Sequence, residues 1–86
     1  MPVGQKEKLI RKLQSKPKDF TFEEAEKLLG YFDYRRSDKG RTSGSRVMFI
    51  CEDRSPILLH KPHPRKELLE YQVKQLIEKL KEEDLI

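Results

Sequence analysis

Eighty-six residues, of which 35% are hydrophobic and 40% charged, make one small domain, with no room for a deep substrate cavity beside its own core. The net charge is +4, there is a single cysteine, and no apolar run approaches 18 residues. An internal disulfide, a Cys-type metal site and a membrane span are thereby excluded, and without a signal peptide a soluble cytoplasmic protein is expected.

Function should then lie on a surface, a groove or an interface. The charge is unevenly spread: residues 1–18 carry +5, 19–34 carry −4, 35–65 carry +5 and 66–86 carry −2. Bases gathered in two segments are the footprint of a polyanion-binding face, although ordinary solubilising charge accounts for them about as well.

The spacing of Leu9, Ile10 and Leu13 predicts a short amphipathic helix over Gln5–Gln14 with a basic outer face, broken at Pro17. Thr21-Phe22-Glu23-Glu24 reads as a capping box, with Phe20 and Ala25 at the two staple positions. It opens a second helix to Leu29, with Phe22, Ala25, Leu28 and Leu29 inward and Gly30 ending it. Tyr31–Arg36 predicts a first strand and Ser37–Gly44 a polar loop.

Ser45–Cys51 and Pro56–His60 predict two further strands joined by Glu52–Ser55. Val47, Phe49 and Cys51 then point one way, and Arg46, Met48 and Ile50 the other. Arg65–Glu83 predicts the longest helix, with Leu69, Val73, Leu76, Ile77 and Leu80 inward and Leu68 at the edge. The order α-α-β-β-β-α implies an α+β fold: a three-stranded antiparallel sheet with helices on one face. Met48 and Ile50 remain on the open face, joined by Leu58 or Leu59 according to turn length, and adjacent apolar residues there suggest a protein partner.

Chemistry concentrates in Lys61-Pro62-His63-Pro64. Residues before proline are held extended; if the segment is polyproline-like, three residues make one turn and His60 and His63 share a side about 9 Å from each other. RNA can be cut without metal when a base takes the 2′-OH proton, an acid protonates the leaving 5′-oxygen and a cation steadies the phosphorane. His60 and His63 suit the proton roles, with Lys61, Arg65 and Arg46 as cations. The bland alternative is one histidine capping a helix start and one solvated. No cofactor motif is present. A metal nuclease using Glu52, Asp53, His60 and His63 fails on reach, because the acids lie at the far end of the strand.

The element order, the Gly44-Ser45 step opening the second strand, the exit Ile57–His60 into Pro62-His63, and Lys66-Glu67-Leu68 together resemble the HicA family of bacterial toxin–antitoxin systems. The resemblance covers roughly Glu23–Lys81, so residues 1–18 read as an extra basic helix before a HicA-like core at 21–83. It implies a fold like the double-stranded RNA-binding domain, metal-independent mRNA cleavage and neutralisation by a HicB-type antitoxin. The family's catalytic histidine follows the Gly-Ser step, a position held here by Arg46. The catalytic set expected is therefore His63, His60 and Arg46; Lys39, Arg41, Lys61 and Arg65 are expected to contact RNA, and Met48 and Ile50 the antitoxin. A non-catalytic RNA-binding module, reading A-form shape through phosphate and 2′-OH, is the alternative. A DNA-binding helix-turn-helix is a poor fit, because strands separate the helices.

Overall fold

The computed structural model describes residues 4–37, 46–62 and 64–86. Its elements are α1 (Gln5–Gln14), α2 (Phe22–Tyr31), β1 (Arg35–Arg36), β2 (Arg46–Cys51), β3 (Arg54–His60) and α3 (Glu70–Glu82). The strands form one antiparallel sheet in the order β1-β2-β3. This is an α+β arrangement, and its α-β-β-β-α portion has the element order of a double-stranded RNA-binding domain.

The core lies between the helices and the face carrying Phe49, Ile57 and Leu59, each no more than 5% exposed. Phe22 meets Phe49 with ring centroids 6.2 Å apart. Helix α1 belongs to this core: Leu13 is fully buried, and Leu9 and Ile10 pack against it. A polar clamp adds to the apolar contact. Thr21 Oγ1 accepts from the Glu24 backbone N–H at 3.1 Å, while Glu24 Oε1 accepts from the Thr21 N–H at 3.0 Å. Lys12 Nζ donates to Glu24 Oε2 at 2.9 Å, tying α1 to the first turn of α2. Burial alone would raise the Glu24 carboxyl, but the Thr21 N–H and the Lys12 ammonium outweigh it and hold it below the ordinary value. The hydrogen bond to Glu24 in turn raises Lys12.

Helix α2 continues through Gly30 to Tyr31 rather than stopping at Leu29. The left-handed residue that ends it is Asp33, at φ 68°, with the Tyr34 N–H reaching back to Leu29 O at 3.0 Å. Phe32 and Tyr34 are thereby delivered into the core, 5% and 4% exposed, and β1 shrinks to two arginines. Packing of those aromatics, rather than the glycine, places the boundary.

Helix α3 begins at Glu70, five residues after the expected Arg65. The intervening chain is extended and zipped to the start of α2: Leu68 N–H donates to Phe20 O at 2.8 Å and Phe22 N–H to Lys66 O at 3.0 Å, with an antiparallel bridge between Thr21 and Glu67. In extended chain neighbours alternate sides, so Leu68 is buried at 2% and Leu69 is exposed at 37%, the reverse of the expected assignment. The sheet is tightly turned: Cys51 pairs with Arg54 across Glu52-Asp53. Neither turn residue has a positive φ, so the turn does not match the strand twist, and a register shift between Phe49 and Cys51 absorbs the mismatch.

Candidate functional site on the open sheet face

Register decides what the open face carries. Arg46 pairs with His60, Val47 with Leu59, Met48 with Leu58 and Phe49 with Ile57. Directly opposed residues share a face, with Cβ atoms about 4.5–5.5 Å apart. Arg46 and His60 therefore stand side by side, both exposed, on the face away from the helices. Met48 and Leu58 are the next pair, and Ile50 follows beside Arg35.

The two-residue turn together with the register shift between Phe49 and Cys51 resolves the third apolar position as Leu58. It is 50% exposed, whereas Ile57 and Leu59 on either side are each 5% exposed. Met48 and Ile50 are half-buried and are not among the residues packed on the core. The face thus has an apolar centre of Met48, Ile50 and Leu58, with Arg46 and His60 at one end and Arg35 at the other.

Beside Arg46 and His60 runs a groove of about 280 Å³, whose other wall is α3 through Tyr71, Gln72 and Gln75. Gln72 is a buried polar residue, 3% exposed, and fixes this wall. Its Oε1 accepts from the Leu69 N–H at 2.9 Å and its Nε2 donates to His60 O at 2.6 Å. One amide thus satisfies the first turn of α3 and pins the backbone of His60 to it. The sequence reading missed Gln72, because its side-chain amide gives no periodic signal. Tyr71, 54% exposed, and Gln75 were also missed; their i, i+4 spacing on the polar side of α3 was the available clue.

The expected cations do not form one cluster. Lys61 alternates away from His60, and its Nζ lies 5.7 Å from the Phe22 ring centroid on the α2 side. Arg65 lies on a different groove, its Nε donating to Glu67 O at 3.1 Å. His63, Lys39 and Arg41 lie outside the described residues. The acids Glu52 and Asp53 sit in the turn at the far end of β3, about 23 Å or more of extended chain from His60. Among the described residues no group of three or more His, Cys, Asp or Glu side chains is placed to hold a metal. Cys51 packs partly against the core, its Sγ 3.5 Å from Arg54 Nη1, which donates to Phe32 O at 2.7 Å.

No described helix is long and apolar enough to cross a membrane. Comparison with curated proteins and with solved structures gave no match. One family model does match: the HicA toxin of bacterial toxin–antitoxin systems, over residues 22–82. That span takes in α2, the whole sheet and α3, every element that frames the open face and its groove. The chain belongs to the HicA toxin family of bacterial toxin–antitoxin systems.

Proposed function

We propose that this protein cleaves mRNA without a metal ion and is neutralised by a HicB-type antitoxin seated on the open sheet face. The observation that carries the reading is the cross-strand pair Arg46–His60 beside the α3 groove. An imidazole and a guanidinium held on neighbouring strands supply a proton-transfer group and a fixed cation within reach of one phosphate. Arg46 follows the Gly44-Ser45 step, where the family places its histidine, and His60 takes the acid–base role from across the ladder.

In the reaction His60 or His63 removes the proton from a ribose 2′-OH, whose oxygen attacks the adjacent phosphorus. The bond to the 5′-oxygen breaks, the other imidazole protonates that oxygen, and Arg46 steadies the charge on the non-bridging oxygens. The products are a 2′,3′-cyclic phosphate end and a 5′-hydroxyl end. Lys39, Arg41, Lys61 and Arg65 contact flanking phosphates, which makes binding salt-dependent. Met48, Ile50 and Leu58, bordered by arginines, suit a partner with an apolar centre and an acidic rim. An antitoxin there also shields Arg46 and His60, so one surface explains both activity and its control.

The deciding experiment is incubation of purified protein with mixed mRNA, with and without EDTA. Cleavage should persist in EDTA, fail on RNA carrying a 2′-deoxy group at the cut site, and fall about 10²–10⁴-fold in His60→Ala and in His63→Ala. Undiminished cleavage in the double variant places the acid–base chemistry elsewhere. RNA binding without cleavage in the unaltered protein makes it an RNA-binding module of the same fold.

A further inference from the structure

The family match begins at residue 22, yet α1 and Phe20, which bracket the turn between them, are packed into the same core. What that turn presents is basic. Lys16, Pro17 and Lys18 line one side of a groove of about 350 Å³, and Arg65, Leu69 and Glu70 line the other. The two sides are braced against each other, because the bonds between Phe20 and Leu68 and between Phe22 and Lys66 fasten the two segments together. Lys16 itself is fixed at φ 53°, its N–H on Leu13 O at 2.9 Å.

Two nearby cations are paired with carboxylates: Lys12 with Glu24 and Asp19, and Arg36 with Glu26. Among the described residues no carboxylate pairs with Lys16, Lys18 or Arg65. Three cations against the single carboxylate of Glu70 leave the groove positive. It is joined by residues 61–65 to His60, where the open face ends. Consecutive residues at the start of α3 also line both grooves, Leu69 and Glu70 this one and Tyr71 and Gln72 the other, so a chain of phosphates leaving the Arg46–His60 groove would meet positive charge here.

We propose that Lys16 and Lys18, together with Arg65, form a second contact for the phosphodiester backbone of RNA, so that the N-terminal element lengthens the RNA-binding track beyond the family core. This rests on the RNA-binding reading above and adds to it the residues of the turn after α1. The contact is electrostatic and independent of base sequence.

The test is titration of the full chain with a fluorescent RNA duplex of about 16 base pairs, the span typical of this fold type, across a salt series. Lys16→Asn removes the charge with a residue that tolerates the left-handed backbone, and Lys18→Gln removes the other. The double variant should shallow the slope of log K against log salt by about 1.4–1.8, and weaken binding roughly five- to eightfold per residue at about 0.1 M salt. Lys74→Gln with Lys81→Gln removes equal charge from the exposed face of α3 and should change neither. An equal effect from that control, or an unchanged slope for Lys16→Asn/Lys18→Gln while Arg65→Gln lowers it, overturns the proposal and leaves RNA binding standing. Loss of antitoxin binding with RNA binding intact assigns the groove to a protein partner and also overturns it. A flat salt response in the unaltered protein refutes the RNA-binding reading itself.

Discussion

Replacing Gln72 with leucine removes two hydrogen bonds at once and leaves the Leu69 N–H and His60 C=O without their partner. An orphaned buried polar group costs about 1–3 kcal/mol, and the added apolar burial recovers about 1–2 kcal/mol. Two such groups cost about 2–6 kcal/mol, so the net loss should be about 1–4 kcal/mol, a large share of the roughly 5–15 kcal/mol that holds a small domain. With a guanidinium slope of about 2 kcal/mol/M, the midpoint should fall by about 0.5–2 M. Gln72→Glu gives a sharper test. Its carboxylate still accepts from Leu69 N–H but confronts His60 O where the amide donated, so its folded pKa rises above the unfolded value near ~4.3. A raised carboxyl binds more protons folded than unfolded, so this variant loses stability as pH rises from that value through the folded one. At low pH the protonated acid donates to His60 O, and the deficit against the unaltered protein should shrink. A Gln72→Leu loss below about 1 kcal/mol, or a Gln72→Glu deficit indifferent to pH, would falsify the view that this amide seals the end of β3 against α3.

Three further outcomes are expected. Leu68→Ala should cost about 2–5 kcal/mol and Leu69→Ala under about 1 kcal/mol by chemical denaturation, since only the first is buried; equal losses would mean that the helix starts upstream. Glu24 is lowered from 4.5, so its contribution is present above that pH and is lost as pH falls through the folded value, whereas the raised Lys12 contributes below 10.5 and ceases to above its folded value. Melting curves from pH 2 to 7 should therefore converge for the unaltered protein and Glu24→Gln at the acid end, and a constant gap would count against the clamp. Met48→Asp and Leu58→Asp should each weaken antitoxin binding by about 2 kcal/mol or more while moving stability by about 0.5 kcal/mol or less; unaltered affinity by calorimetry would remove the partner from this face.

The parts of the fold that could be read from sequence are those written in local chemistry. Thr21 and Glu24 announce their helix through complementary hydrogen bonds, and the inward set Phe22, Ala25, Leu28 and Leu29 follows from one period. The start of α3 was hidden because Leu68 and Leu69 fit a helical stripe as well as an alternating strand, and only the partner segment at Phe20–Phe22 chooses between them. Strand register was likewise open: the pairing of Arg46 with His60 depends on a two-residue turn and on the register shift between Phe49 and Cys51, and neither carries a specific signal in the sequence. Lys16 and Lys18 read only as part of the break after the first helix, since the surface they share with Arg65 is made by residues nearly fifty positions away.

The bridge between residues 20–22 and 66–68 also sets the order in which a nascent chain can become competent. Until α3 and the segment before it have left the ribosome, Phe49, Ile57 and Leu59 lack the cover that α3 supplies, Gln72 cannot grip His60, and the seam beside Thr21 has no second strand. Every component of the open face is synthesised before α3, but the backbone bond that pins His60 comes from that helix. The order of the open face is thus deferred until α3 has been made, and a polypeptide truncated before Lys66 lacks both the seam beside Thr21 and the Gln72 bond to His60.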